Sequence, residues 1–132
     1  MINLKSIKFI NHQARQSQPE RYLDVTVSAE AVISSYRTSL FSFEWLDAAG
    51  KIKDLAALPE KERPKRENVE KALKNGAALE KPVLGIGIQD NVEIGSGRAV
   101  FLTLAALGVK HIPVHIPVTH KDDFKTFIAA LD

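Results

Sequence analysis

The chain has 132 residues, of which 45% are hydrophobic and 26% are charged, and its formal net charge is +2. These values are typical of one folded domain spanning residues 1–132, and they exclude disorder, a collagen repeat and a coiled coil. The small net charge does not indicate a dedicated nucleic-acid binder, and the absence of Cys excludes disulfides, Cys-ligated metals and a thiol nucleophile. No apolar run approaches the roughly 20 residues of a membrane helix, so we expect a cytoplasmic protein without a membrane partner.

The first part of the chain predicts two strands and a helix. Apolar residues alternate over Ile2–Phe9, which predicts a first strand, and the polar stretch 11–20 predicts a loop. Tyr22–Val27 is β-branched and alternating, which predicts a second strand, and Ser28 offers an oxygen that would cap the next helix. Residues 39–46 are aromatic-rich, and both a strand and the end of the preceding helix fit them.

The rest of the chain predicts alternating helices and strands. Residues 59–76 have the spacing of an amphipathic helix, with Pro64 near the start and Gly76 at the end. The further elements are the hairpin strands Pro82–Ile88 and Val92–Ile94, the helix Ala99–Leu107, which is apolar nearly all round and therefore buried, the strand Ile112–Ile116 and a final helix over Lys121–Leu131. Together these elements predict an α/β (α+β) fold with a small mixed β-sheet flanked by helices.

The loop Gly95-Ser96-Gly97-Arg98, between the hairpin and the buried helix, is the strongest candidate binding site. A strand followed by small residues and a helix start exposes unpaired backbone N–H groups, and the helix dipole favours an anion at the same point. Arg98 at the mouth of the loop would bind a phosphate through two hydrogen bonds. The alternative is structural: Gly95 and Gly97 permit a tight turn, and Arg98 is a solvated residue of the first helical turn.

The stretch VEIGSGRAVFLTLAALGVKHIPVHI, residues 92–116, resembles the signature of the ParB/sulfiredoxin-like superfamily. The shared features are a strand, the glycine-arginine motif at Gly97 and Arg98, a buried helix, Gly108, and Ile-Pro-Val at residues 112–114. The resemblance implies a ParB/sulfiredoxin-like fold whose loop holds nucleotide phosphates or lies against DNA. It therefore implies a nucleotide- or DNA-binding domain, and a metal-dependent nuclease or ATPase that uses Mg²⁺ and a nucleoside triphosphate is a further expectation.

Several features separate this chain from that signature. Ala99 and Val100 stand where the superfamily often carries a His-Arg pair. An alternative alignment places Gly95–Arg98 on the family's Gly-x-x-Arg motif, but it makes the helix two residues longer before Gly108. Sulfiredoxin chemistry is excluded because the chain has no Cys. The alternative function is a catalytically silent protein-interaction module of the same fold, an inhibitor or immunity-like protein with a protein partner.

Glu93 and His111 complete the candidate site. Glu93 lies beside the loop and is a candidate Mg²⁺ ligand or general base, which makes Glu93 and Arg98 the predicted catalytic residues. An ordinary surface carboxylate is the alternative for Glu93. His111 follows the buried helix, where we expect it to contact the ligand, but the spacing of the nearby histidines matches no metal-ligand pattern. The cations of residues 61–74 alternate with glutamates, which indicates a solvated helix face.

Overall fold

The computed structural model describes residues 6–129, which form a mixed α/β fold. The strands are β1 (Phe9–Ile10), β2 (Tyr22–Ser28), β3 (Leu79–Glu80), β4 (Val83–Ile86), β5 (Val92–Ser96) and β6 (His111–Pro117). The helices are α1 (Gln13–Ser17), α2 (Ala29–Tyr36), α3 (Arg63–Lys74) and α4 (Arg98–Ala106). None of the helices within residues 6–129 is both long enough and apolar enough to cross a bilayer.

The sheet has four strands in the order β2-β6-β4-β5. β2 and β6 run antiparallel, from Tyr22 opposite Pro117 to Ser28 opposite His111. β4 pairs with β5 as an antiparallel hairpin and with β6 in parallel, while β1 and β3 form a separate two-stranded parallel pair. The prediction of a small mixed β-sheet accompanied by helices is therefore confirmed.

The hydrophobic core joins the sheet to α2, α3 and α4. Residues 101–104 are all fully buried, so this turn of α4 is enclosed on every side, as its apolar sequence predicts, whereas Ala106 at the end of the helix is exposed. β6 lies in the interior of the sheet and contributes Ile112, Val114 and Ile116, none of which is exposed. The start of α4, which carries the candidate loop, is thus fixed to the best-packed part of the chain.

Glycines set both ends of α4. Gly97 stands at the N-cap with φ +77°, and a Cβ there would lie 2.9 Å from the Cα of Pro82. Any side chain at residue 97 would therefore be strained and would also clash with the backbone. Gly108 has φ +95° just beyond the other end, where Val109 N–H donates to the Leu104 carbonyl at 3.0 Å. The predicted buried helix and its closing glycine are confirmed.

Other predicted elements are also confirmed, with shifted bounds. The helix predicted over residues 59–76 is α3, the predicted hairpin is β4 and β5, and the strand predicted at residues 112–116 is β6. Ser28 caps α2, since its Oγ accepts a hydrogen bond from Ala31 N–H at 3.2 Å. Residues 39–46 are neither of the two predicted alternatives, because Ser42–Glu44 form a 3-10 turn.

The N-terminal predictions need two corrections. The first strand is limited to Phe9–Ile10 within the described residues, and the beginning of the predicted strand, residues 2–5, lies outside them. The polar stretch 11–20, predicted as a loop, contains α1. His12 begins this helix because its Nδ1 accepts a hydrogen bond from Ala14 N–H at 3.0 Å, a capping role that the polar composition did not indicate.

The predicted helix over Lys121–Leu131 is wrong for the described part of this segment. Residues 121–127 form turns, and Ile128 bridges to Val27 on the edge of β2. Two backbone hydrogen bonds fasten the segment there, from Ser28 N–H to Phe127 O (2.8 Å) and from Ala129 N–H to Thr26 O (2.9 Å). Pairing with the strand edge satisfies backbone groups that a helix would satisfy internally. Residues 130–132 lie outside the described part of the chain.

We expect Ser28→Ala to lower the free energy of unfolding by about 1 kcal/mol, because the first turn of α2 loses its side-chain acceptor. Urea unfolding followed by circular dichroism measures this change. Ser34→Ala is the matched control: Ser34 is an exposed residue of the same helix, and its hydroxyl forms no hydrogen bond within residues 6–129. Equal stabilities of the two variants would show that the cap contributes nothing.

Candidate functional site

The start of α4 opens onto a cavity of about 440 Å³, which we call the loop cavity. One side is formed by residues 94–99, and the other side by Tyr36, Phe41, Glu62, Lys65 and Glu93. No side chain of residues 6–129 caps α4, so within this range the N–H groups of its first turn have neither an intrahelical acceptor nor a capping side-chain oxygen. The structure therefore brings the predicted loop residues Gly95, Ser96, Gly97 and Arg98 to one cavity.

The Arg98 side chain is not directed to an open phosphate cradle, because it is held by carboxylates. Its NH2 group donates to Glu62 Oε1 at 2.5 Å and to Glu44 Oε1 at 3.1 Å, and its NH1 group donates to the Phe41 carbonyl at 3.2 Å. Burial acts to lower the pKa of Arg98, but the contacts with Tyr36, Glu62 and Glu44 outweigh burial and raise it. Arg98 is thus permanently charged and largely committed to ion pairs inside the protein.

Glu62 is the centre of this cluster and was not a predicted site residue. Its side chain is 2% exposed and accepts hydrogen bonds from Trp45 Nε1 at 2.9 Å, Lys65 Nζ at 2.9 Å and Arg98. Burial alone would raise its pKa, but these donors lower the pKa to about 2. In the sequence Glu62 is one of several glutamates alternating with lysines, so its burial gave no signal. A buried Trp that needs an acceptor for its N–H was the available clue.

Glu93 lines the loop cavity, but both of its carboxylate oxygens are already engaged. Oε1 accepts from Ser39 Oγ at 2.6 Å, and Oε2 accepts from Asn91 Nδ2 at 2.9 Å. A Cβ on Gly87 would lie 2.8 Å from Glu93 Cγ, so the carboxylate is also tightly enclosed on that side. Within residues 6–129 no three His, Asp or Glu residues are grouped so that they could hold a metal ion. The donor set around Glu93 therefore does not fit Mg²⁺.

His111 is not brought to the loop. It is exposed, lies at the first residue of β6 opposite Ser28, and follows the C-terminal end of α4, whereas the loop precedes the N-terminal end. The loop cavity contains no atom of His111 in its lining. A different histidine, His12, lies beside the loop.

A chain of hydrogen bonds behind the loop fixes Ser96 and was not predicted. His12 Nε2 lies 2.9 Å from Ser96 Oγ. Because His12 Nδ1 accepts from Ala14 N–H, neutral His12 carries its proton on Nε2 and donates it to Ser96. His12 therefore does not activate Ser96 as a nucleophile. The backbone N–H of His12 donates to His115 Nε2 at 3.1 Å, and His115 Nδ1 donates to Asp24 Oδ1 at 2.8 Å.

The Asp24–His115 pair follows from strand register. Asp24 in β2 lies directly opposite His115 in β6, so the two side chains meet on one face of the sheet. Burial lowers the pKa of His115 despite the opposing effect of the Asp24 carboxylate. Neutral His115 can accept from His12 and donate to Asp24 at once. The pair thereby anchors the start of α1 beside the loop.

An apolar groove of about 420 Å³ adjoins the loop cavity and shares Phe41 and residues 93–95 with it. Its other walls include Leu40 and Ile88. Leu40 is 76% exposed, Phe41 is 64% exposed, and Ile88 at the hairpin turn is fully exposed. Large apolar side chains that cluster at a surface are typical of interaction sites.

Glu62 makes the free energy of unfolding depend on pH. Its folded-state pKa of about 2 is below its ordinary value of 4.5, so the folded state favours the ionised carboxylate. The stability from this group is complete above pH 4.5 and is lost as the pH falls toward 2. The full effect is about 3 kcal/mol, since one pKa unit corresponds to about 1.4 kcal/mol.

We expect wild type to lose this stability between pH 4.5 and pH 2.5, and Glu62→Gln to show a correspondingly smaller loss over the same interval. Urea unfolding at a series of pH values measures both. Glu67→Gln removes an exposed glutamate of α3, the helix that Glu62 immediately precedes. Glu67 forms no ion pair within the described residues, so this variant should follow wild type. If Glu62→Gln and wild type lost stability in parallel, Glu62 would not be the group responsible.

Comparison with known proteins returns no match: no family model, no curated protein and no solved structure matches the chain. The likeness of residues 92–116 to the ParB/sulfiredoxin-like signature therefore stays a prediction. The function of the loop cavity must follow from its own backbone, charges and neighbours.

Proposed function

We propose that this chain is a phosphate-binding domain that takes a nucleotide or a nucleic-acid backbone phosphate in the loop cavity. The observation that carries the proposal is the uncapped start of α4, which opens onto a cavity of about 440 Å³ lined by its own glycine loop. Unpaired N–H groups and the positive end of the helix dipole coincide there, an arrangement that binds phosphate in many proteins.

The backbone supplies the binding groups in this proposal. The N–H groups of Arg98, Ala99 and Val100 donate to the phosphate oxygens, and Gly97 permits the positive-φ turn against Pro82 from which these groups begin the helix. Lys65 and Arg98 are balanced by Glu62 and Glu93 among the lining residues, so side-chain charge alone does not attract an anion. Arg98 acts as a positioning residue that holds the loop against Glu44 and Glu62.

The order of elements also supports the proposal. A strand, a glycine loop, a buried helix and an Ile-Pro-Val strand follow one another as β5, residues 95–98, α4 and β6. This is the order that the ParB/sulfiredoxin-like resemblance implies, and we propose that the fold belongs to that type. Hydrolysis is not part of the proposal, because both oxygens of Glu93 accept hydrogen bonds from neighbours.

A protein-interaction module is the second candidate function, and the apolar groove favours it. Leu40, Phe41 and Ile88 expose large apolar surfaces side by side, which is costly in water unless a partner covers them. In this case the loop cavity has only a structural role. Phosphate binding distinguishes the two functions, because an interaction module does not need to bind phosphate.

The test compares thermal unfolding with and without ATP, CTP, GTP or a short DNA duplex, each with Mg²⁺. A ligand at 100 times its Kd stabilises the folded state by about 2.7 kcal/mol, which raises the unfolding midpoint measurably. Ala99→Asp places a carboxylate in the first turn of α4, at the cavity wall. It should weaken phosphate binding by about tenfold through charge repulsion, while a carboxylate at this position slightly stabilises the helix.

Ala99→Asn is the size-matched control, because it adds similar bulk without the charge. We expect Ala99→Asn to retain most of the ligand-induced stabilisation and Ala99→Asp to lose about half of it, since a tenfold weaker affinity leaves about 1.4 of the 2.7 kcal/mol. No shift with any of the four ligands, in wild type as well as in the variants, would reject phosphate binding and favour the interaction module.

A further inference from the structure

A second cavity, of about 500 Å³, lies near the C-terminal end of α4 and is lined by cations. Arg37 at the end of α2, Lys51 and Lys53 from the following loop, and Arg66 from α3 converge on it. The carboxylates in its lining are those of Glu30 and Asp54. Because Arg66 is also paired with Glu70, four cations and three carboxylates leave an excess of one positive charge, and we call this space the cationic cavity.

The cations of this cavity are poorly neutralised by the protein. Within residues 6–129 the side chains of Arg37 and Lys51 form no ion pair and no hydrogen bond. Lys53 Nζ donates to a backbone carbonyl, that of Phe43, at 2.7 Å. Arg37 and Lys51 therefore repel each other without an ion-pair partner within residues 6–129, and a bound anion would relieve that repulsion.

Arg66 is held in the cavity wall by contacts within the protein. Its side chain is 12% exposed, and its NH1 donates to the Lys53 carbonyl at 3.0 Å. Its Nε is buried and forms no hydrogen bond, although Glu70 Oε1 lies 3.4 Å away in an ion pair. Glu70 therefore neutralises Arg66, and Arg37 and Lys51 are the cations of the cavity that have no counter-ion within residues 6–129.

The protein also fixes Arg37 at the cavity. Gly50 has φ +82°, and a Cβ there would lie 3.1 Å from Arg37 Cζ, so the guanidinium rests where a side chain would otherwise be. Backbone N–H groups of residues 107–109 donate to the carbonyls of residues 103–105 at the end of α4. The guanidinium group of Arg37 is thus available to an oxyanion.

We propose that the cationic cavity binds the phosphate groups of an anionic ligand, as a site separate from the loop cavity. The two cations without a partner within residues 6–129, Arg37 and Lys51, suit the oxygens of one phosphate group, either a phosphate monoester or a backbone phosphodiester. The source is either a free polyphosphate compound or a nucleic-acid backbone. The recognition chemistry, planar guanidinium and ammonium donors on phosphate oxygens, is the same for both.

The experiment uses the full chain carrying Ala99→Asp, so that the loop cavity contributes little. Calorimetric titration with sodium tripolyphosphate and fluorescence anisotropy with a labelled dT12 oligonucleotide measure the two sources. Arg37→Gln and Lys51→Gln should each weaken binding by about tenfold, the scale of one charge-assisted hydrogen bond. Lys121→Gln, which removes an exposed cation outside the cavity lining, should leave binding unchanged.

If dT12 binds more tightly than tripolyphosphate and its affinity falls steeply with salt, the natural ligand is a nucleic-acid backbone. If tripolyphosphate binds as tightly as dT12, the natural ligand is a free polyphosphate. Either result, combined with losses in Arg37→Gln and Lys51→Gln, supports the site. The proposal is overturned if neither probe binds, if Lys121→Gln weakens binding as much as the cavity variants, or if polyglutamate binds as tightly as both probes. The last outcome would indicate an acidic protein segment. Because Ala99→Asp affects only the loop cavity, failure here leaves the proposed function intact.

Discussion

The buried carboxylate of Glu62 joins three parts of the chain that meet at the start of α4. It receives hydrogen bonds from Trp45 in the segment after α2, from Lys65 in α3 and from Arg98 in α4. An ionised carboxylate that is 2% exposed would be strongly unfavourable without such donors. All three partners must therefore be in place together, and this requirement fixes the geometry of the glycine loop that precedes α4.

This constraint changes the role expected for Arg98. An arginine at the mouth of a glycine loop predicts a side chain that contacts a ligand, but Glu44 and Glu62 hold this one. The loop is rigid as a result, with Gly97 against Pro82 on one side and the Ser96–His12 contact behind it. A rigid, uncapped helix start is preorganised for an anion, since its N–H groups need not be rearranged when a ligand binds.

Much of the fold followed from local patterns. Alternation predicted β2, the Ser28 cap predicted α2, and the apolar run closed by Gly108 predicted α4, because each pattern determines the structure over a few neighbouring residues. The C-terminal segment has helical spacing but pairs with the edge of β2, a contact that depends on residues about 100 positions earlier. Local periodicity carries no information about such a partner.

The candidate site was predictable in its position and not in its chemistry. The four loop residues do line one cavity. The groups that decide the chemistry of the cavity come from distant positions in the sequence. Glu62 accepts a hydrogen bond from Arg98, Ser39 donates to Glu93, and His12 lies within hydrogen-bond distance of Ser96. The two residues of each pair are far apart in the sequence and belong to no common motif. The sequence alone therefore could not show that they meet.

The most direct test of the phosphate-binding account is a ¹⁵N NMR titration of the chain with sodium pyrophosphate, following the backbone amides at the start of α4. The account predicts that the resonances of Arg98, Ala99 and Val100 shift together and saturate, because these N–H groups donate to the ligand. Unchanged amide resonances at residues 97–100 at saturating pyrophosphate would contradict it.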